Sequence, residues 1–223
     1  VKEDGMGKRG IIFDLDGTLT DTIEDIADHM NTLLKEYGFG TYGANEYKQM
    51  VGSGLRKLVL LSVPDGYRKD PLIDEMTEKL VERYAADPVG KTTLYPGIKE
   101  LLSELQSRGV PISVLSNKSH EIVSKVADTL LKPWRFHSVR GSGPEFPKKP
   151  DPTSAFASAH TMGLPPEDVL FVGDSGVDMQ TGRNAGMIPL GVLWGFRGKK
   201  ELEENGAAGI IRTPSELLRY LDS

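Results

Sequence analysis

Two aspartates, Asp14 and Asp16, stand one residue apart in the stretch FDLDGTLTDT, directly behind the apolar run Ile11, Ile12 and Phe13. Carboxylates this close repel each other, and the pairing is tolerable only where a cation offsets the charge or one member carries a proton. Those two conditions correspond to two jobs. An ionised carboxylate on a metal can act as a nucleophile and form an acyl phosphate. A carboxylic acid beside it can protonate a leaving oxygen and then activate water as a base. In extended backbone a spacing of two puts both on one face, and the pair would titrate as a unit. Three more groups follow: Ser116-Asn117, Lys148-Lys149-Pro150, and Gly173-Asp174-Ser175 with Asp178. Carboxylates, a hydroxyl and a lysine together suit a hard divalent cation and a phosphate.

Each group also has a plainer reading. Asp-x-Asp-Gly is turn chemistry. It is not a calcium loop, because the glycine falls at loop position 4 rather than 6 and position 12 is Asp25 rather than glutamate. Ser116-Asn117 is a common helix start, and Lys149 alone would be a solvated lysine. Ser175-x-x-Asp178 is itself a capping box, and Asp178 keeps that reading beside its alternative, support for a metal or its water. Four such groups in one chain favour the chemical reading over four coincidences.

The elements that must position them alternate. Apolar runs predict strands at Gly10 to Phe13, Ile112 to Leu115, Ser138 to Gly141, Val169 to Val172, Ile188 to Leu193 and Gly209 to Arg212. Helical spacing links Ile23, Ile26, Met30, Leu33, Leu34 and Tyr37, with Asp21 and Glu24 as an N-cap pair and Gly38 as a stop. Helical patterns recur at Leu55 to Leu61, Leu72 to Tyr84, Gly97 to Ser107, His120 to Leu131, Pro152 to Met162, Asp178 to Ala185 and Pro214 to Leu221. Thr213-Pro214-Ser215-Glu216 reads as a capping box with proline at the first helical position. Between the first strand and Pro111 no strand is expected. The layout is α/β, a parallel sheet covered on both faces, interrupted after its first strand by about 70 mostly helical residues. In such sheets ligands bind outside the carboxyl ends of the strands, which is where the four groups fall.

Composition narrows the function classes. The 223 residues carry a net charge of −5, with 38% hydrophobic and 26% charged residues. There is no basic tract of the kind that binding a phosphate backbone requires, so nucleic acid is not an expected partner. The absence of cysteine excludes disulfides, thiolate catalysis and zinc-thiolate sites and suits a reducing compartment. No apolar run reaches transmembrane length, and VKEDGMGKRG lacks the apolar centre of a signal peptide. The expectation is a cytoplasmic protein without a membrane partner, a monomer or homodimer, with residues 1–8 a mobile tail. His29, His120, His137 and His160 show no metal-ligand spacing and are expected at the surface. Trp194-Gly195-Phe196 follows a strand end and either lines the site or packs on the core.

Taken together, FDLDGTLTDT, VLSNK, KKPDP and FVGDSGVDMQTGRNAG, in that order, resemble the haloacid dehalogenase superfamily, and within it the phosphoglycolate-phosphatase-like branch, which GVLWGFRGKKELEENGA also resembles. The likeness covers nearly the whole chain after residue 9. It implies a Rossmann-like parallel core, residues 1–20 and 94–223, with an inserted α-helical cap, residues 21–93. It further implies Asp14 as nucleophile and Asp16 as general acid-base whose backbone carbonyl also meets the metal. By the same likeness Asp174 would be the remaining side-chain ligand of Mg²⁺, supported by Asp178. Ser116 would bond a phosphoryl oxygen. Lys149 would neutralise charge and hold Asp14 ionised, preferred over Lys148 because the family's lysine directly precedes proline. Backbone N–H groups around Gly17, Thr18 and Asn117 would complete a phosphate cradle. The dehalogenase and phosphonate-cleaving branches do not keep an acid at the place of Asp16, so phosphate-ester chemistry is implied.

The function implied is a Mg²⁺-dependent phosphatase of a small phosphorylated metabolite, with 2-phosphoglycolate the first substrate to try. A phosphomutase of the β-phosphoglucomutase kind, a pyrophosphatase and a nucleotidase share the chemistry. A non-enzymatic binding protein would have no use for an unpaired acid-base carboxylate. Val51-Gly52-Ser53-Gly54-Leu55 precedes a helical pattern containing Arg56. Because helix N-termini present N–H groups to anions, Ser53 or Arg56 is expected to contact the non-reacting end of the substrate.

Overall fold

Gly10–Phe13 (β1) is buried along its whole length and forms the centre of a sheet. The computed structural model describes residues 9–221; the expected tail at 1–8 lies outside them. The other strands are Ile112–Ser119 (β4), Ser138–Ser142 (β5), Val169–Gly173 (β6), Ile188–Val192 (β7) and Gly209–Ile211 (β8), in the spatial order β5-β4-β1-β6-β7-β8. Every pairing in this sheet is parallel. β1 alternates as the period of two requires. Ile11 and Phe13 join one buried cluster with Leu170, Val172 and Leu190, whereas Ile12 joins another with Val169, Phe171 and Leu115. Burial of such side chains contributes about 1.5–3 kcal/mol each.

Helices cover both faces. Ile98–Ser107 (α5) and His120–Val126 (α6) supply Leu101, Leu102, Leu105, Ile122 and Val123 to the first cluster. Thr153–Met162 (α7) supplies Ala155, Ala159 and Met162 to the second. Gly176–Asn184 (α8) follows β6, and Lys199–Glu204 (α9) follows β7. The expected helix at Pro214 to Leu221 is instead a 3₁₀ segment, Pro214–Tyr220, although Thr213 Oγ1 and the Arg212 amide do bond Glu216. The stretch expected as helix to Leu131 widens into a π segment over Ala127–Leu131.

The segment after β1 holds Ile23–Glu36 (α1), Ala44–Met50 (α2), Leu55–Ser62 (α3) and Asp70–Ala86 (α4). They pack on one another through Met30, Leu33, Leu34, Tyr47, Leu58, Ile73, Met76 and Leu80, all buried. The short α2 has no apolar periodicity to announce it. Its entry is fixed by Glu46, which accepts from the Gly43 amide at 2.8 Å. The N-cap of α1 is Thr22, not Asp21, because Asp21 belongs to a two-residue strand. That strand, Thr20–Asp21 (β2), pairs antiparallel with Thr93–Leu94 (β3). Strands too short for periodicity thus join the two places where the chain passes between sheet and helical layer. Among the described residues no helix is long and apolar enough to cross a membrane.

Asp25 fastens this crossing from within. It is 4% exposed and accepts from the amides of Lys91 and Thr92, each at 2.7 Å, and from the Thr92 hydroxyl. Asp25→Ala strands those donors. The expected loss is about 2–4 kcal/mol, read as a lower urea midpoint at unchanged slope.

Candidate active site

The carboxyl ends of β1, β4 and β6 converge. β1 remains in register one residue further, with the Asp14 amide donating to Val172 O at 2.9 Å. The chain then folds back in a tight turn in which Leu15 O accepts from the amides of Thr18, Leu19 and Thr20. Gly17 sits at φ +88°, and a Cβ there would lie 2.3 Å from Asp174 Oδ2. A side chain would therefore push Asp174 away from Asp14. Gly195 is as confined, since a Cβ would lie 2.3 Å from both Asp174 Cβ and Gly17 O. Close backbone approach from two loops seats Asp174.

The Lys149 ammonium donates to Asp14 Oδ1 at 2.7 Å and to Asp178 Oδ1 at 2.6 Å. Asp178 Oδ2 accepts from the amide and hydroxyl of Ser175, closing a capping box at the start of α8. Asp178 therefore caps the helix as its spacing predicts, and it also holds the lysine that meets Asp14. Asp174 Oδ2 accepts from the Phe196 amide at 2.6 Å. Ser116 Oγ lies 3.4 Å from Asp16 Oδ2. Lys148 is exposed, and Lys149 is the lysine at the carboxylates.

A cavity of about 50 Å³ opens among these groups, lined also by Val51, Leu55, Leu58, Phe196 and Arg197. That is room for on the order of four waters. Several expected contacts differ. The amides of Gly17 and Thr18 are spent on Thr20 O and Leu15 O within the turn, so these residues shape the site instead of offering those donors. Asn117 acts through its side chain, donating to Gly52 O and Lys149 O and accepting from the Lys149 amide. Arg56 is not brought to the cavity. It is 43% exposed and paired with Asp70 and Asp74 of α4. Ser53 is exposed, while its neighbours Gly52 and Gly54 line the cavity. Trp194 bonds Thr18 O, and Phe196 lines the cavity.

Two groups escaped the sequence reading. Lys118, with 3% of its side chain exposed, donates to Asp16 Oδ1 at 2.6 Å and to the Tyr84 hydroxyl of α4 at 2.7 Å. β4 runs past Leu115 through an irregularity to Ser119, so Ser116 and Lys118, two residues apart, approach Asp16 together. That period of two was the available signal. Arg197 lay in a loop with no periodicity.

The charge balance points to a cation. Among the described residues Asp14, Asp16 and Asp178 form ion pairs with two lysines, Lys118 and Lys149, and Asp174 has the charge of Arg197 in its neighbourhood but no ion pair. Oxygens of Asp14, Asp174 and Asp178 lie within 4.8 Å of one another, all three residues buried. Asp14 Oδ2 and Asp174 Oδ1 take no hydrogen bond among the described residues. Burial, then the neighbouring charge of Asp178, holds the Asp14 carboxyl well above the usual range although Lys149 pulls it down. The same two causes push Asp174 up to about 7. Hard oxygens with uncompensated charge fit a Mg²⁺ ion held by Asp14 and Asp174, with Asp178 behind them.

The sequence profile of haloacid dehalogenase-like hydrolases matches residues 11–192. The chain is 33% identical over 215 residues to the phosphoglycolate phosphatase of Aquifex aeolicus, covering 96% of this chain and 97% of that protein. It is 31% identical over 204 residues to the phosphoglycolate phosphatase of Pseudomonas savastanoi pv. phaseolicola, covering 90% and 75%. A solved structure from Lactobacillus delbrueckii subsp. bulgaricus superposes with a TM-score of 0.90 at 27% identity, over 97% of this chain and 99% of that one.

The raised Asp174 carboxyl has a signed consequence. In the unfolded chain an aspartate loses its proton near pH 3.9, and in the folded chain only at about 7. Across that interval the folded state binds more protons, so stability falls as pH rises, and the loss is complete above the folded value. A bound cation removes the penalty and competes with the proton. Mg²⁺ should therefore raise the melting temperature clearly at about pH 8 and little at about pH 5. An equal rise at both would contradict a carboxylate site of this kind.

Proposed function

The chain belongs to the haloacid dehalogenase-like hydrolase family, and from that membership and the site geometry we propose that it is a Mg²⁺-dependent phosphatase of a small phosphorylated metabolite, acting through an aspartyl-phosphate on Asp14. The observation that carries this reading is the Asp14 carboxylate: one oxygen is held by Lys149 at 2.7 Å, and the other takes no hydrogen bond among the described residues. Lys149 opposes the burial that raises the Asp14 carboxyl, and once ionised beside a bound cation the carboxylate keeps its remaining lone pairs for attack. The phosphoglycolate phosphatases similar to this chain make 2-phosphoglycolate the first candidate, and the small cavity suits so compact a molecule.

Asp14 Oδ2 attacks phosphorus in line with the ester oxygen, and the bond from phosphorus to that oxygen breaks. Asp16 gives the departing oxygen its proton. Asp16 then takes a proton from water, which attacks the phosphorus of the aspartyl-phosphate, releasing phosphate and restoring Asp14. Ser116 and Lys149 stabilise charge on the phosphoryl oxygens. Asp14, Asp174 and the Asp16 carbonyl, with Asp178 in support, would hold Mg²⁺, which would supply positive charge against the carboxylates and the phosphoryl group.

In this reading residues 21–93 act as a cap over a core made of 1–20 and 94–223, and the β2–β3 pair is the place where it hinges. The bonds from Asn117 to Gly52 O and from Lys118 to Tyr84 support it, because both tie the helical layer to active-site residues.

The test is phosphate release from 2-phosphoglycolate, sugar phosphates, nucleoside monophosphates and pyrophosphate, with and without Mg²⁺. We expect metal-dependent release with a strong preference for the compact ester. Asp14→Asn should lower kcat by more than the roughly 10²–10³-fold typical of losing one stabilising group, since no second nucleophile is placed to replace it. Near-normal turnover by that variant would sink the covalent mechanism.

A further inference from the structure

Arg197 lines the cavity from the loop between β7 and α9, with only 12% of its side chain exposed. Its Nε faces Glu201 at 3.2 Å. Its Nη2 donates to Val51 O, at the start of the turn between α2 and α3, at 2.9 Å, and toward Gln49 O, in the last turn of α2, at 3.4 Å. Its Nη1 is buried and has no hydrogen-bond partner among the described residues. A guanidinium carries two N–H donors on that nitrogen, and leaving buried donors unmet is costly enough that native structures rarely do so without a reason.

Among the described residues no group of the wall accepts from Nη1. The carboxylate oxygens without a hydrogen bond, Asp14 Oδ2 and Asp174 Oδ1, belong to the proposed cation site, and the lining groups near the α2–α3 turn include the apolar Val51, Leu55, Leu58 and Phe196. Lys149 is committed to Asp14 and Asp178. A ligand that fills the cavity is therefore the available source of an acceptor, and a planar fork with two spare donors matches a carboxylate.

We infer that Arg197 is the specificity-determining residue of this enzyme: its Nη1 receives a second anionic group, a carboxylate, on the non-reacting end of a short phosphate monoester. The task expected of Arg56 falls to an arginine of the sheet's own loop. Because the same guanidinium holds the α2–α3 turn through Nη2, a substrate carboxylate on Nη1 also fixes the helical layer over the site. This inference rests on the phosphatase reading for its reaction but not for its binding.

The test therefore measures binding, with turnover as a separate readout. Calorimetric titration in Mg²⁺ compares 2-phosphoglycolate with ethyl phosphate, the same skeleton with a methyl in place of the carboxylate. It is carried out on Asp14→Asn protein, which holds substrate without consuming it, and on that protein with Arg197→Ala or Arg197→Lys. The expected result is a preference for 2-phosphoglycolate that Arg197→Ala lowers about 10- to 100-fold and that Arg197→Lys keeps in part. No preference in the Asp14→Asn protein, or an equal weakening of both ligands by Arg197→Ala, overturns the assignment, the second outcome marking Arg197 as a structural tie alone. Thermal melts of each variant distinguish a lost contact from a lost fold. Wild-type protein that binds 2-phosphoglycolate selectively yet releases no phosphate would defeat the phosphatase reading and leave Arg197 as the anion receptor.

Discussion

Three carboxylates, those of Asp14, Asp174 and Asp178, lie within 4.8 Å of one another in the interior, and the Lys149 ammonium is what makes that arrangement tolerable. Taking charges out of water costs several kcal/mol per ion, recovered only with close opposite charge and satisfied hydrogen bonds. Lys149 supplies both to Asp14 and Asp178, and the α8 capping box satisfies the far oxygen of Asp178. Among the described residues Asp174 receives a hydrogen bond only from the Phe196 amide. The remaining imbalance faces the cavity. In the proposed function this uncorrected repulsion is what a cation would relieve. Loop glycines keep this geometry, since a methyl at Gly17 or Gly195 would occupy the space Asp174 now fills.

A second set of contacts ties the helical layer to these charges. Asn117 joins Gly52 O to the backbone of Lys149, Lys118 joins Tyr84 to Asp16, and Arg197 joins the α2–α3 turn to the loop after β7. Each uses a polar side chain of the sheet edge and a group of α1–α4 or their turns. The apolar contacts of the layer hold the helices to one another, while these bonds register them against the reacting groups. Polar contacts exchange readily with water once exposed, so these ties are separable from the apolar core that the helices share among themselves.

Much of this was legible in the sequence because it depends on local order. Strands of four or five apolar residues followed by Asp14, Ser116 and Asp174 announce a sheet and its active edge, and the structure places those residues together as the topology requires. What was not legible depends on distance across the fold. Lys118 belongs with Asp16 only because β4 continues beyond its apolar run, and nothing in Ser-Asn-Lys states that it will. Arg56 looked suited to a substrate because it follows a glycine turn, yet acidic residues fourteen and eighteen positions later hold it outside. Arg197 looked ordinary because its meaning comes from Val51, far earlier in the chain. The amides of Gly17 and Thr18 were expected to face a phosphate, but the turn that positions Asp16 uses them itself.

The account stands on Asp14 carrying the phosphoryl group. The measurement that bears on it most directly is rapid acid quench of the wild-type protein with 2-phosphoglycolate and Mg²⁺, followed by mass spectrometry of the peptide spanning Asp14 and Asp16. The account predicts a phosphoryl group on the Asp14 carboxylate that appears within the first turnover and decays as phosphate is released. Phosphate release with that peptide unmodified throughout, or a phosphoryl group on Asp16 or Ser116 instead, would contradict it.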